Sequence, residues 1–233
     1  LNPKSEAKSA ARVGAALIFE FDHLAARVRE AAFEVLRSIF DGVDLTPNLF
    51  SRSCLNATPL KMAEQIQSLL GVKKATTKKL ADEIVNGIQM HLETGNVQIS
   101  DALRDVIVQA RDLSMQVIAF TALPAHPRDA LADRLDLNGL GIELVPFGTG
   151  LEPSPRADAW LKLCKERGLV APISVALTTS MHATKAALTA GIPCVAIPDR
   201  FTEFQDYGGA RLIAGSLKEI QLAALTHSGP TPG

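Results

Sequence analysis

The sequence predicts an α/β protein built on a doubly wound parallel sheet, with an all-helical domain inserted after the first strand. Three observations carry this expectation. Short β-rich runs of continuous rather than alternating hydrophobicity recur along the chain, the mark of strands covered on both faces. Helical patterns separate them, and strand, helix, strand in repetition implies parallel pairing. Between Leu24 and about Gly95 the strands stop and helical patterns alone continue.

Taken in order, the first strand is expected in "VGAALIFEF" (13–21), after a polar opening at 1–12. The helical block follows. In 24–40 the residues Leu24, Val28, Val35, Leu36, Ile39 and Phe40 fall on one stripe. Thr58-Pro59 gives an N-cap with proline at the first helical position, and Gly71 ends that helix. A third helix carries Leu80, Ile84, Ile88 and Leu92 before stopping near Gly95. Further strands are expected in "MQVIAFT" (115–121), "IELVPF" (142–147), "ISVALT" (173–178), "PCVAIP" (193–198) and "ARLIA" (210–214). Helices are expected over 100–113, 126–137, 156–168, 181–190 and 216–225, with Ser100 as an N-cap and Gly191 as a C-terminal stop. The domain reading is therefore a core of 13–23 and 96–225, a helical block of 24–95, and flexible tails at 1–12 and 226–233.

Composition narrows the function classes. A hydrophobic share of 47% against 21% charged fits a globular protein with an ample core. A net charge of −1, with no lysine/arginine block, argues against nucleic acid as a partner, and one Trp with one Tyr leaves no base-stacking platform. Cys54, Cys164 and Cys194 are widely spaced and odd in number, which predicts neither a disulfide framework nor a zinc site, and a reduced, cytoplasmic setting is expected. Lys4 and Arg12 ahead of "VGAALIF" give the order of a leader, but the run ends in Glu20 and Asp22 without a cleavage site, so it is read as a strand. No run approaches the roughly 18 apolar residues of a membrane helix.

Glu20 and Asp22 are separated by one residue at a strand's mouth, which would turn both side chains into one crevice. Thr121 ends the second strand just before Leu123-Pro124, where a hydroxyl and the backbone N–H of Ala122 form a phosphate-cradling turn. "GTGLEPSPRADAW" (148–160) places two prolines ahead of a helix, and "ISVALTTSMHATKAALTAG" (173–191) runs strand, polar turn, alanine-rich helix.

Order and spacing together resemble the haloacid dehalogenase (HAD) superfamily, specifically its phosphatase and β-phosphoglucomutase-like branch. The likeness spans about residues 13–225 and includes the closing segment "IPDRFTEFQDYGGARLIAGSLKEI". It implies a Rossmann-like core, a helical cap over 24–95, and Mg²⁺-dependent phosphoryl transfer through an aspartyl-phosphate. Residue by residue, the chemistry departs from that pattern. The nucleophile position holds Glu20, the acid/base position keeps Asp22, and the following glycine is His23. Thr121 matches the phosphate-binding hydroxyl. Glu152 stands where the pattern has lysine, and Thr178-Thr179, followed by Ser180, where it has acids.

Lengthening the nucleophile by one methylene moves its oxygen by roughly 1 Å, a loss on the order of 100-fold where in-line geometry matters. Mg²⁺ demands hard anionic oxygens that the threonines do not supply. Glu152 repels phosphate; Arg156, four residues on, either pairs with Glu152 or supplies the missing positive charge. Lys162 and Lys165, the positions an alternative alignment would use, are read as a solvated helix face. His23 is read as crowding the pocket and Cys54 as a packed thiol. Three functions follow: a degraded, nearly silent phosphatase-like protein with a regulatory or phosphometabolite-binding role; an active divergent phosphohydrolase or phosphomutase using Mg²⁺; or an interaction module. The first predicts no resident cofactor and no metal ligands, with a small phosphorylated metabolite or inorganic phosphate as the ligand.

Overall fold

The computed structural model describes residues 14–95, 97–148, 151–152 and 154–227. The tails at 1–12 and 228–233 and Pro153 of the "PSP" segment lie outside the described residues. Six strands form one parallel sheet in the order β3-β2-β1-β4-β5-β6. They are β1 (Ala16–Glu20), β2 (Gln116–Thr121), β3 (Ile142–Pro146), β4 (Val175–Thr178), β5 (Cys194–Ala196) and β6 (Leu212–Ile213). Each lies within an expected run, so the doubly wound α/β reading holds. The order reverses direction beside β1, which places the crevice at the carboxyl ends of β1, β2 and β4.

Alternation along the strands builds two cores. Leu17, Phe19, Val117, Ala119, Val175 and Leu177 face one layer, while Ala16, Ile18, Ile118, Phe120 and Ala176 face the other. The second layer is closed by α8 (Ala157–Arg167) and α9 (Met181–Thr189). Trp160 of α8 is fully buried with its ring 4.9 Å from that of Phe120. Ala183 and Ala187 are fully buried on α9, so the small residues there serve close packing on the sheet.

The first layer is covered by α6 (Asp101–Asp112) and by the helical segment after β1, whose apolar residues join one continuous cluster with the sheet. That segment contains α1 (Phe21–Leu24), α2 (Val28–Ile39), α3 (Pro47–Cys54), α4 (Pro59–Leu70) and α5 (Thr77–Thr94). Thr58 caps α4 and Gly71 ends it at φ +63°. Gly87 lets α2 and α5 approach, since a Cβ there would lie 2.4 Å from Val35 Cγ2. Among the described residues no helix is long and apolar enough to cross a membrane.

Three local expectations are corrected. The stripe over 24–40 is two helices rather than one, because Arg27 takes a left-handed turn (φ +54°) between them. Helix α3 is an additional helix between the two expected at 24–40 and from Pro59, with Thr46 accepting from the Leu49 N–H at 3.2 Å as its cap. The helix expected over 216–225 is a 3₁₀ turn at Leu217–Glu219 followed by α10 (Leu222–His227), which runs past the 225 boundary. The Gln109 amide fills the break, donating to the Ile220 carbonyl at 3.2 Å and accepting from Leu222 N at 3.0 Å. Helix α7 (Ala125–Arg134) falls within one residue of its expected start.

The start of β1 depends on one side chain. The Ala16 N–H donates to Ser174 Oγ at 3.1 Å, and that hydroxyl donates to the Val170 carbonyl at 3.1 Å. Both residues are almost wholly buried. Ser174→Ala strands the Ala16 N–H, and is expected to cost about 1–3 kcal/mol in urea unfolding. An unchanged unfolding midpoint would show that water takes the hydroxyl's place.

Candidate functional site

Glu20 and Asp22 do not share a strand. β1 ends at Glu20 and the chain turns directly into α1, so the expected side-by-side pair is split across a strand end and a helical turn. The turn is closed on the carbonyl of the fully buried Phe21, which accepts from Ala25 N at 3.0 Å and Ala26 N at 2.9 Å. The two carboxylates therefore point apart, each toward a neighbouring strand. Asp22 accepts from the Thr121 hydroxyl and, at 2.8 Å, from the Ala122 N–H at the end of β2. Glu20 accepts from the Thr179 N–H and, at 3.0 Å, from Thr179 Oγ1 just beyond β4.

This geometry bonds internally the groups that the sequence offered for an anion. Thr121 Oγ1 donates to Asp22 and accepts from the Leu123 N–H at 3.1 Å, and the Ala122 N–H is spent on the same carboxylate. The three hydroxyls at the end of β4 and just beyond it are also bonded internally. Thr178 Oγ1 lies 2.7 Å from Thr184 Oγ1, Thr179 serves Glu20, and Ser180 caps α9 by accepting from Ala183 N at 3.3 Å.

Burial dominates the electrostatics. It raises the Glu20 carboxyl to about 7, against the opposing bonds from Thr179 and the charge of Arg29. It raises Asp22 to about 6, against the bonds from Thr121 and Ala122, and the nearby Glu152 pushes the same way as burial. Glu152 thus acts on the site as a negative charge. Gly148 makes room for it, since a Cβ there would lie 2.2 Å from Glu152 Oε2.

The cation of the site is Arg29, not Arg156. Arg29 is only 8% exposed, pairs with Asp199, and reaches Thr179 Oγ1 at 3.5 Å. Arg156 is exposed, sits 3.5 Å from Asp158, and lines a cleft with Lys162 beside β3 that shares Glu152 with the cavity at the strand ends. Its expected role as the replacement for the missing lysine is not what this arrangement provides. Lys162 pairs with Glu166 on the outer side of α8. Sequence reasoning missed Arg29 and Asp199. The available signal was that Arg29 precedes Ala32, Phe33 and Leu36 at helical spacing, on the stripe that α2 buries.

Above the carboxylates, Asp22, His23, Arg29 and Glu152 meet Phe50, Cys54 and Met62 around a cavity of about 50 Å³. At roughly 10–15 Å³ per water, that holds a few waters and not a sugar phosphate. His23 lines it where a glycine would leave space. Burial pushes the Cys54 thiol up to about 12, which removes it as a nucleophile. Across the rim the Asn56 amide nitrogen lies 3.1 Å from His182 Nδ1.

No family model matches the sequence, and no curated protein matches it at sequence level. Solved structures do match the fold. CbbY from Rhodobacter sphaeroides in complex with phosphate aligns at TM-score 0.64 and 17% identity, over 88% of this chain and 95% of that one. A putative β-phosphoglucomutase from Thermotoga maritima aligns at TM-score 0.62 and 18% identity, over 91% and 98%. A HAD hydrolase of family IA, variant 3, from Entamoeba histolytica aligns at TM-score 0.67 and 16% identity, over 91% and 97%. The chain has a haloacid dehalogenase-like fold.

The HAD-like fold raises the question of Mg²⁺, and the residues present do not fit it. Among the described residues no three His, Cys, Asp or Glu side chains converge as ligands. The two carboxylates at hand each bond neutral donors on opposite strands. A hard cation would have to break those bonds to gain one charged ligand at a time.

The raised carboxyls set a pH dependence. Glu20 rises from 4.5 to about 7 and Asp22 from 3.8 to about 6, so the folded state holds protons that the unfolded chain releases. Stability from this source is complete below the unfolded values and is lost as pH rises through the folded ones. Unfolding by urea is expected to show greater stability at about pH 5 than at about pH 8, on the order of 1–3 kcal/mol per group. Glu20→Gln should flatten its share of that slope, and an unaltered slope would mean Glu20 keeps its charge when buried.

Proposed function

We propose that this chain is a HAD-fold protein whose phosphoryl-transfer centre is occupied by its own carboxylates, leaving a regulatory or binding role in place of catalysis. One observation carries the reading. Thr121 and Ala122, the groups suited to cradling a phosphate, are both bonded to Asp22, while Thr179 is bonded to Glu20. Three features support it further. The nucleophile position carries a longer side chain, the lysine position carries Glu152 near Asp22, and the acidic positions are hydroxyls that serve internal bonds. Groups that act as a unit in catalysis do not compensate singly for one another's loss.

A phosphorylated small molecule remains the ligand class suggested by the neighbours, two of which hold phosphate and xylulose-(1,5)bisphosphate. To bind here, such a ligand has to displace Asp22 from Thr121 and Ala122 and enter beside Glu152. The closed form therefore favours the empty state, and any phosphate binding is coupled to opening of the crevice.

Turnover of a simple aryl phosphate is expected to stay at the buffer rate with and without Mg²⁺. Glu20→Asp alone should leave it there, because Glu152 and the threonines are unchanged. Mg²⁺-dependent turnover by the unaltered protein, abolished in Asp22→Asn, would overturn the proposal. The self-occupied site has its own check. Asp22→Ala removes a negative charge and frees two donors, so inorganic phosphate should raise the melting temperature of that variant and not of the unaltered protein. An equal rise in both would show that Asp22 does not block the anion.

A further inference from the structure

The helical segment is joined to the far side of the sheet by a crossed set of charges. Arg29 and Glu30 are neighbours on α2, and Asp199 and Arg200 are neighbours in the loop between β5 and β6. Arg29 pairs with Asp199, and Arg200 pairs with Glu30 while lying 3.7 Å from Glu34. The signs are swapped within each neighbouring pair. A slip of either element by one residue therefore sets like charges against each other.

Surroundings make these pairs stronger than ordinary surface contacts, which are worth little. Asp199 is fixed from its own side, accepting from Phe201 N at 2.8 Å and from Thr202 Oγ1 at 3.2 Å. The Arg200 guanidinium stacks 4.9 Å from the Phe33 ring and 4.8 Å from the Phe201 ring. Beneath it Phe33 and Phe50 of the helical segment close on Phe201 of the loop, with centroids 5.1–5.4 Å apart. Arg29 continues inward to Thr179, the residue that holds Glu20.

We infer that Arg29, Glu30, Asp199 and Arg200 form a latch that keeps the helical segment shut over the crevice, and that releasing it uncovers the cavity while the sheet stays folded. The inference rests on this geometry alone and stands whether or not the site has catalytic activity.

Two cysteines report on it. Cys54 of α3 is 2% exposed and lines the cavity, so it becomes reactive when the segment lifts. Cys194 is fully buried within the sheet and becomes reactive when the sheet itself unfolds. Labelling with a maleimide, followed by peptide mapping, gives both rates in the same sample. Arg200→Glu, at a half-exposed position that leaves the core packed, should speed Cys54 labelling about 10-fold with little change at Cys194. Adding Glu30→Arg rebuilds the pair with its signs exchanged and should return Cys54 most of the way to the original rate. Acceleration of Cys54 and Cys194 by the same factor would mean a loss of global stability and would overturn the latch. So would an unchanged Cys54 rate, or a double variant no slower than the single one.

Discussion

Two carboxylates taken out of water at the end of the central strand set the terms for what surrounds them. A buried carboxylate is tolerated when hydrogen bonds replace its lost hydration. Here Glu20 finds them on the β4 side and Asp22 on the β2 side, so the end of β1 is tied to both neighbours. The ladder of parallel hydrogen bonds ends where these ties begin. Phe21 between them packs into the core, and the chain turns there into α1, with the two carboxylates bonded on opposite sides.

From that arrangement the charge distribution follows. Asp22 and Glu152 line one cavity with Arg29, and Arg29 also pairs with Asp199 and acts on Glu20, so it is a buried cation among several acids. Such an excess of acid is unfavourable at low dielectric unless protons or counter-charges are taken up. Both occur: burial lifts Glu20 and Asp22 toward neutrality, and Arg29 serves Asp199 directly and Glu20 through Thr179. A phosphate dianion entering beside Glu152 would meet negative charge, and positive groups favour such an anion.

The sheet was legible in the sequence because each strand is a short apolar run bounded by turn residues, and that pattern is local. Thr58 and Ser100 were legible as caps for the same reason. Part of the site was legible too: Glu20, Asp22, Thr121 and Thr179 do come together at the strand ends. Their directions were not. The run of apolar residues continues through Phe21, so its pattern does not report that β1 ends at Glu20 and that the chain turns into α1 there. Arg29 was hidden for a related reason. On a buried helical stripe an arginine reads as a misplaced surface residue until its partner, 170 positions away, is known. Arg156, local to the altered motif, had the better sequence position but points into solvent.

A site that binds phosphate must hold its donors ready while no ligand is present, and unsatisfied buried donors cost stability. This chain places its own carboxylates on those donors. The exchange stabilises the empty fold through four hydrogen bonds, but it buries two titratable groups whose charged forms are disfavoured. Opening the crevice would hydrate both and relieve that penalty, so closure needs contacts from elsewhere. The aromatic cluster of Phe33, Phe50 and Phe201 and the crossed ion pairs above it stand where such contacts are required, between α2 and the loop after β5. The internally bonded carboxylates and the ion pairs and aromatic rings between α2 and the loop after β5 thus meet one constraint: acids kept dry, with a helical segment packed beside them.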